Sequence, residues 1–168
     1  MLDIFINLLC KTLLPSDISY LCSEIIFYVV KNHKKGDAMT NKLELYKCNV
    51  CNNLVEVLND GFGELVCCNK PMELIECNTS EIEELNEKHI PVIEKEIDHM
   101  RIRVGAVMHP MTMEHHISFI QAISNDKKYV KTKFLDINET PELNVKTSSK
   151  TLWSRALCNI HGLFRGEI

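Results

Sequence analysis

Four of the eight cysteines in the chain lie close together in the sequence, at spacings that suit a metal site. They are Cys48, Cys51, Cys67 and Cys68. The two-residue spacer between the first two lets one tight turn present both sulfurs to one ion, and four thiolates suit tetrahedral zinc or iron. The last two are adjacent, and neighbouring residues of a strand point to opposite faces, so both can bind one ion only from a distorted backbone. The spacing predicts a metal centre and leaves open whether it is a structural zinc or a redox iron.

A second group of candidate ligands lies in the C-terminal half of the chain. It comprises His89, His109, the pair His115 and His116, Cys158 and His161. Cys158 and His161 stand in the stretch "CNIHG", where one turn could deliver a sulfur and a nitrogen to the same ion. A lone histidine is more often a surface or core residue than a ligand. Histidines beside prolines or turns, together with this Cys/His pair, favour a second metal site, whereas His33 and His99 fit no such pattern.

Composition and charge exclude several classes of protein. The chain has 168 residues, of which 45% are hydrophobic and 25% charged, as in a globular protein with one domain or a small module plus one domain. The net charge of −4 argues against general nucleic-acid binding, which requires a basic surface. Clustered thiols without a convincing secretory signal indicate a reducing cytosol, so we expect a cytoplasmic protein.

Residues 1–38 are interpreted separately from the rest of the chain. Their two apolar runs are about half the length that a membrane helix needs, so no membrane span is predicted. Residues 34–39 back-translate to AAA-AAA-GGA-GAT-GCA-ATG, which contains a bacterial ribosome-binding sequence, GGAG, just before a start codon. We therefore expect residues 1–38 to be an N-terminal extension that is a mis-called start or disordered, with translation beginning at Met39. The alternative is an amphipathic helix on a membrane surface.

The elements that must position these ligands are predicted to be strands. Residues 39–77 alternate in short runs around the turn Asn59-Asp60-Gly61 and are too few to bury a core unaided, so a metal must stabilise them. Residues 78–88 are polar and acidic and are predicted to be a linker with one helical turn. Residues 89–168 contain several short strand-like runs separated by turns, which indicate an antiparallel β-sandwich. The predicted fold class is all-β.

The order and spacing of five motifs resemble the desulfoferrodoxins, the two-iron superoxide reductase family. The motifs are "LYKCNVC", "GELVCC", "EKHIPVIEK", "VGAVMHPM" and "CNIHGL", and the resemblance runs from about Thr40 to the C-terminus. It implies a desulforedoxin-like module in which Cys48, Cys51, Cys67 and Cys68 hold one iron. It also implies an immunoglobulin-like sandwich in which a second iron has His89, His109, His115 and His161 as equatorial ligands and Cys158 as axial ligand. The chain would hold two iron ions.

The resemblance also selects between the adjacent histidines. In the family, the next ligand follows the histidine of "HP" by six residues. Counted from His109, this spacing selects His115 and leaves His116 as a bystander. The following "ISFI" departs from the family's more usual tryptophan-containing strand, which puts local packing in doubt but not the ligands.

The activity that the resemblance implies is one-electron reduction of superoxide to hydrogen peroxide, without formation of oxygen, at a ferrous site. Five protein ligands leave one position of an octahedral metal open for substrate. Lys88 corresponds to a lysine that attracts superoxide to this position, and Glu87 to a carboxylate that closes onto the ferric iron after product leaves. A rubredoxin-like protein is the expected electron donor, and a homodimer is the expected assembly.

Two other functions remain open at this point. The chain could be a non-catalytic iron electron-transfer protein that uses only the four-cysteine centre, or a zinc-stapled interaction module. The second ligand group argues for an enzyme over an electron carrier, because a carrier has no need of an open coordination position beside Lys88.

Overall fold

The computed structural model describes residues 39–78, 83–148 and 151–168 of the chain. The expectations for residues 1–38 lie outside these ranges. Within them the chain is nearly all-β, with fourteen strands and one short helix, as the sequence predicts. No helix of the described ranges is long and apolar enough to cross a membrane.

The N-terminal module consists of short antiparallel strands. They are β1 (Met39–Thr40), β2 (Leu45–Lys47), β3 (Leu54–Glu56), β4 (Gly61–Phe62), β5 (Val66–Cys67), β6 (Lys70–Pro71) and β7 (Glu73–Leu74). Strands β3, β2 and β7 form one sheet, and β1–β4 and β5–β6 are separate pairs. Its buried hydrophobic residues are Leu43, Leu45, Cys48, Val57 and Met72. So small an apolar core supports the expectation that a metal stabilises the module.

Helix α1 (Glu83–His89) follows the module. Acidic residues occupy its first turn and Lys88 and His89 its last, an arrangement that complements the helix dipole. At seven residues it is longer than the single turn predicted for the linker 78–88, and it ends on a candidate ligand. Pro91, two residues beyond, begins the next strand. The predicted domain boundaries themselves stay a prediction.

The C-terminal domain is a sandwich of two antiparallel sheets. Its strands are β8 (Pro91–Lys95), β9 (Met100–Val104), β10 (Ile117–Ser124), β11 (Val130–Phe134), β12 (Glu142–Val145), β13 (Leu152–Cys158) and β14 (Gly162–Glu167). One sheet has the order β11-β10-β13-β14 and the other β12-β9-β8. The core between them includes Ile102, Val104, Ile120, Val145 and Ala156. Strand β14 lies beyond "TLWSRALC", the last strand-like run of the sequence. It was not predicted, because glycines at 162 and 166 bound its short apolar stretch.

The two sheets approach each other closely where β14 meets β8. A Cβ atom at Gly166 would lie 1.8 Å from the carbonyl oxygen of Pro91, so any larger residue there would push the strands apart. Because β8 begins directly after α1, this contact also sets where the end of α1 lies against the sandwich.

A buried polar network joins the module to the sandwich. The Arg155 guanidinium, on β13, donates to Glu56 Oε1 (2.8 Å), to Gln121 Oε1 (2.6 Å) and to the carbonyl of Leu43 (2.6 Å). Only 5% of the Arg155 side chain is exposed. Buried charges are tolerated when they are paired and hydrogen-bonded, so this contact is a specific interface between the two parts of the chain.

Candidate metal centres

The first centre is formed by the four clustered cysteines. The sulfur atoms of Cys48, Cys51, Cys67 and Cys68 all lie within 4.8 Å of one another. The Sγ atoms of Cys51 and Cys67 are 3.6 Å apart, and those of Cys67 and Cys68 are 3.9 Å apart. The structure therefore brings together every residue that the sequence predicts for this site.

A distorted backbone allows the adjacent cysteines to share the site. Cys68 and Asn69 have φ angles of 52° and 58°, in the left-handed region that non-glycine residues rarely adopt. This reversal turns both sulfur atoms to one side, whereas an extended strand would direct them to opposite faces. The distortion predicted from the adjacent cysteines is present.

Hydrogen bonding shifts the pKa values of Cys48 and Cys68 in opposite directions. The backbone amides of Cys51 and Val50 lower the pKa of Cys48 to about 7. Contacts with the sulfurs of Cys51 and Cys67 raise the pKa of Cys68 to about 12. Four sulfurs this close cannot all ionise without a cation between them, and a tetrahedral thiolate ligand set suits zinc or iron.

The second centre lies at one end of the sandwich, where α1, the β9–β10 connection and the β13–β14 turn meet. The donor atoms of His89, His109, His115 and Cys158 lie within 4.8 Å of one another. His161 joins them, with its Nδ1 2.9 Å from His89 Nε2 and 3.6 Å from Cys158 Sγ. All five predicted ligands of the second iron are thus neighbours in space.

Two observations show that this donor set fits a metal ion. The Nε2 atom of His115 is buried and has no hydrogen-bond partner, although an unsatisfied buried polar atom costs about 1–3 kcal/mol. His89 Nδ1 lies 2.6 Å from the carbonyl oxygen of Leu85, and His109 Nδ1 lies 2.6 Å from that of Pro110. Since a carbonyl only accepts, each Nδ1 carries the proton and each Nε2 keeps a lone pair directed into the cluster.

Burial keeps these imidazoles in the form that binds metals. It lowers the pKa of His109 to about 4, and it also lowers the pKa values of His89 and His115. The positive charges that neighbouring histidines would carry act in the same direction. At neutral pH the rings are therefore neutral, as ligation requires.

The two adjacent histidines point in different directions. His115 faces the cluster, whereas His116 Nδ1 lies 3.1 Å from the carbonyl oxygen of Thr112. Both residues precede β10, so the alternation of a strand does not explain the difference. The loop is shaped by Thr112, whose hydroxyl accepts from the His115 amide at 3.1 Å. His99 lies apart, in the β8–β9 turn, 2.7 Å from Asp98.

Glu87 and Lys88 are exposed in the last turn of α1, directly before His89. The charge of Lys88 contributes to lowering the pKa values of His89 and His115. Its ammonium therefore lies within electrostatic range of the second centre. Neither residue supplies one of the five converging donor atoms.

Asn159 is a positioning residue that the sequence did not single out. Its Oδ1 accepts from the His116 amide (2.9 Å) and its Nδ2 donates to the Glu114 carbonyl (2.8 Å). It thereby ties the loop of Cys158 to the loop of His115. The only hint in the sequence was that Asn159 stands between two ligands in "CNIH". Its hydrogen-bond partners could not be predicted, because they lie more than forty residues away in the chain.

Comparison with known proteins gives consistent matches over the described ranges. The family model for the desulfoferrodoxin N-terminal domain matches residues 40–75, and the desulfoferrodoxin model matches residues 81–167. A desulfoferrodoxin of Desulfarculus baarsii is 45% identical over 129 residues, which are 77% of this chain and 99% of that protein. A superoxide reductase of Thermococcus kodakarensis is 35% identical over 101 residues, which are 49% of this chain and 86% of that protein.

The crystal structure of the superoxide reductase from Treponema pallidum has the same fold. It superposes with a TM-score of 0.57 at 22% identity, covering 78% of this chain and 98% of that one. The arrangement of a small module followed by a β-sandwich is therefore shared with a solved protein.

Proposed function

The chain belongs to the desulfoferrodoxin family, and we propose that it is a superoxide reductase. The reaction combines one superoxide, one electron and two protons to give hydrogen peroxide, and it forms no oxygen. The observation that carries this proposal is the orphaned Nε2 of His115 within a set of five converging donor atoms. A relative that is 35% identical is named a superoxide reductase, which supports the same activity.

His89, His109, His115, His161 and Cys158 would hold the catalytic iron. When bound in its ferrous state, the iron would supply the single electron that superoxide accepts. Because the imidazoles are neutral ligands, a bound iron would keep a positive charge at the site, which would favour a small anion. The thiolate of Cys158 would donate electron density to the metal. With five protein donors, a bound iron would keep room for a substrate ligand, as a catalytic rather than a structural metal requires.

Lys88 and Glu87 would act beside the ligands and in different steps. The exposed ammonium of Lys88, within electrostatic range of the cluster, attracts superoxide to an otherwise acidic protein and helps to order proton delivery. Glu87, exposed in the same turn, supplies a carboxylate that closes over the oxidised site after product departs.

The four-cysteine centre would hold the second iron of the chain. It either relays electrons to the catalytic site or only stabilises the small module. A rubredoxin-like protein is the proposed external donor, a homodimer the proposed assembly and the cytoplasm the proposed location. The clustering of four cysteines at spacings that suit a metal site supports a reducing compartment.

Metal analysis and the reaction of pre-reduced protein with superoxide test the function. We expect two irons per chain, thiolate-to-iron absorption bands, and one hydrogen peroxide per superoxide without evolved oxygen. A colourless protein with zinc alone would favour the interaction module. Two irons without superoxide reduction would favour the non-catalytic electron carrier.

A further inference from the structure

The last turn of α1 is held by the backbone that follows β9. The carbonyl of Glu87 accepts hydrogen bonds from the amides of Ala106 (2.7 Å) and Val107 (3.3 Å). The carbonyl of Ile90 accepts from the amide of Gly105 (3.1 Å). The final carbonyls of a helix have no partners within it, and a helix of seven residues is not stable alone. The turn at 105–107 therefore helps to fix where the end of α1 lies, together with the contact between β14 and β8.

Gly105 allows this turn to approach the helix closely. Its φ angle is 83°, and a Cβ atom at this position would lie 2.6 Å from the carbonyl oxygen of Lys88 and 2.3 Å from that of Val107. Any side chain would collide with rigid backbone on both sides. The turn thus contacts the backbone of the very residue that is proposed to attract superoxide.

Arg103 holds the turn in place. Its Nη1 donates to the carbonyls of Gly105 and Ala106, both at 2.9 Å. Its Nε and Nη2 donate to Glu94 Oε1 at 3.3 and 3.1 Å. Glu94 lies on β8, the strand that continues from α1. One guanidinium therefore connects β8 to the turn that supports the end of α1, using the fixed fork of donors that only arginine offers.

We propose that Arg103 is a positioning residue for Lys88. By fixing the turn at 105–107, it holds the last turn of α1 so that the Lys88 ammonium stays beside the second centre. This inference rests on the proposed role of Lys88 in superoxide reduction. It predicts that loss of Arg103 affects superoxide encounter only through Lys88.

Arg101 provides a matched control. It lies two residues earlier on β9 and so faces the same side of the sheet. It forms a similar pair with a glutamate on the neighbouring strand, with distances of 2.6 and 3.2 Å to Glu142. Within the described ranges the hydrogen bonds of its guanidinium go to that glutamate alone. Arg101→Gln therefore removes the same charge without releasing the turn.

The experiment measures the second-order rate constant of the ferrous protein with superoxide as a function of ionic strength. Arg103→Gln should lower the low-salt rate constant by about threefold to tenfold, in the direction of Lys88→Ala, while Arg101→Gln stays within about twofold of wild type. The double variant Lys88→Ala/Arg103→Gln should react as Lys88→Ala does. Arg103→Lys keeps the charge but loses the fork, so it should not restore the rate.

A second readout is independent of activity. Amide hydrogen exchange of the iron-loaded protein, followed by mass spectrometry of fragments that contain Ala106 and Val107, should be at least about tenfold faster in Arg103→Gln than in Arg101→Gln. Glu94→Gln, which leaves Arg103 in place, should give a smaller acceleration. It keeps the test valid if Arg103→Gln fails to fold.

The outcomes separate this inference from the function on which it rests. If Lys88→Ala has no effect, the role of Lys88 fails and the inference fails with it. If Lys88→Ala is slow while Arg103→Gln reacts and exchanges like wild type, only the inference fails. It is also overturned if Arg103→Lys restores the rate or if the two losses add, because Arg103 would then act through its own charge.

Discussion

At the scale of single residues, the hydrogen bond made by one ring nitrogen of a histidine determines which nitrogen remains free to bind a metal. His89 and His109 give their Nδ1 protons to backbone carbonyls and present Nε2 to the cluster. His161 instead faces the cluster with Nδ1, because it follows Cys158 by only three residues and enters from the same turn. Backbone partners thus orient the rings of His89 and His109 toward the cluster.

The adjacent histidines should differ sharply in their effect on the second centre. His115→Ala removes the unpartnered nitrogen, so we expect iron affinity at this centre to fall by at least about tenfold. His116→Ala should leave the iron bound, because that ring contacts the Thr112 carbonyl. Iron content and thiolate-to-iron absorption measure both effects. The opposite pattern would make His116 the ligand.

Lys88 and Glu87 should act on different steps of the reaction. Lys88→Ala should slow the encounter of ferrous protein with superoxide by about tenfold at low salt and weaken its dependence on ionic strength. Glu87→Ala should leave this encounter unchanged and alter the spectrum of the resting ferric protein. Both variants should keep two irons, since neither residue is a donor in the cluster. Pulsed generation of superoxide separates the steps, and a wild-type rate for Lys88→Ala would contradict steering by this residue.

At the scale of elements, the second centre depends on how α1 and the strand ends meet. The helix supplies His89, and the β9–β10 connection supplies His109 and His115. The end of β13 supplies Cys158, and the following turn supplies His161. The close approach of β14 to β8 brings the last of these elements beside the first. Gly166 makes that approach possible.

Gly166→Ala should destabilise the sandwich. The new methyl group would collide with the carbonyl of Pro91, so we expect the free energy of unfolding to fall by about 3 kcal/mol. Gly61→Ala is the control, because its Cβ would lie 3.2 Å from the Thr40 hydroxyl and meet no backbone. Denaturant unfolding of the two variants, with iron content recorded alongside, makes the comparison. Equal stabilities would show that β14 and β8 can separate without cost.

At the scale of the whole molecule, the two centres draw on separate parts of the chain. Every donor of the first centre lies between residues 48 and 68, and every donor of the second between residues 89 and 161. The sandwich has its own hydrophobic core, while the Arg155 network holds the module against it. The two sites are therefore joined structurally but have no ligand in common.

Cys48→Ser should disturb or empty the first centre and leave most single-turnover superoxide reduction by pre-reduced protein. The reason is that the second centre keeps all five donors and its own core. Cys158→Ser, which removes the sulfur of the second centre, should instead lose its thiolate-to-iron absorption. Should Cys48→Ser abolish single-turnover reduction, the first iron would be catalytic.

Much of this protein could be predicted from the sequence, because the relevant signals are local. The pair Cys48 and Cys51, the pair Cys158 and His161 and the alternating strands each lie within a few residues. The spacing of the four cysteines predicted the first donor set, the resemblance to the desulfoferrodoxins implied the second, and the short strand-like runs indicated the all-β class. Strand β14 could not be predicted, because its apolar stretch between two glycines is short. The length of α1 could not be predicted either, because its last turn is held by amides of the turn at 105–107, which is remote in the sequence.

Only the tertiary structure decided how the donors and their supports meet. The spacing typical of the family selected His115, but the reason that His115 and not His116 enters the cluster is the fold of the loop around Thr112. Arg103 hydrogen-bonds to the turn that lies against Lys88, and Asn159 hydrogen-bonds between two loops that carry ligands. The sequence gives no sign that these segments are in contact. Such contacts arise when the two sheets pack together. Packing brings residues close in space that are far apart in the sequence, so their spacing in the chain does not predict the contact.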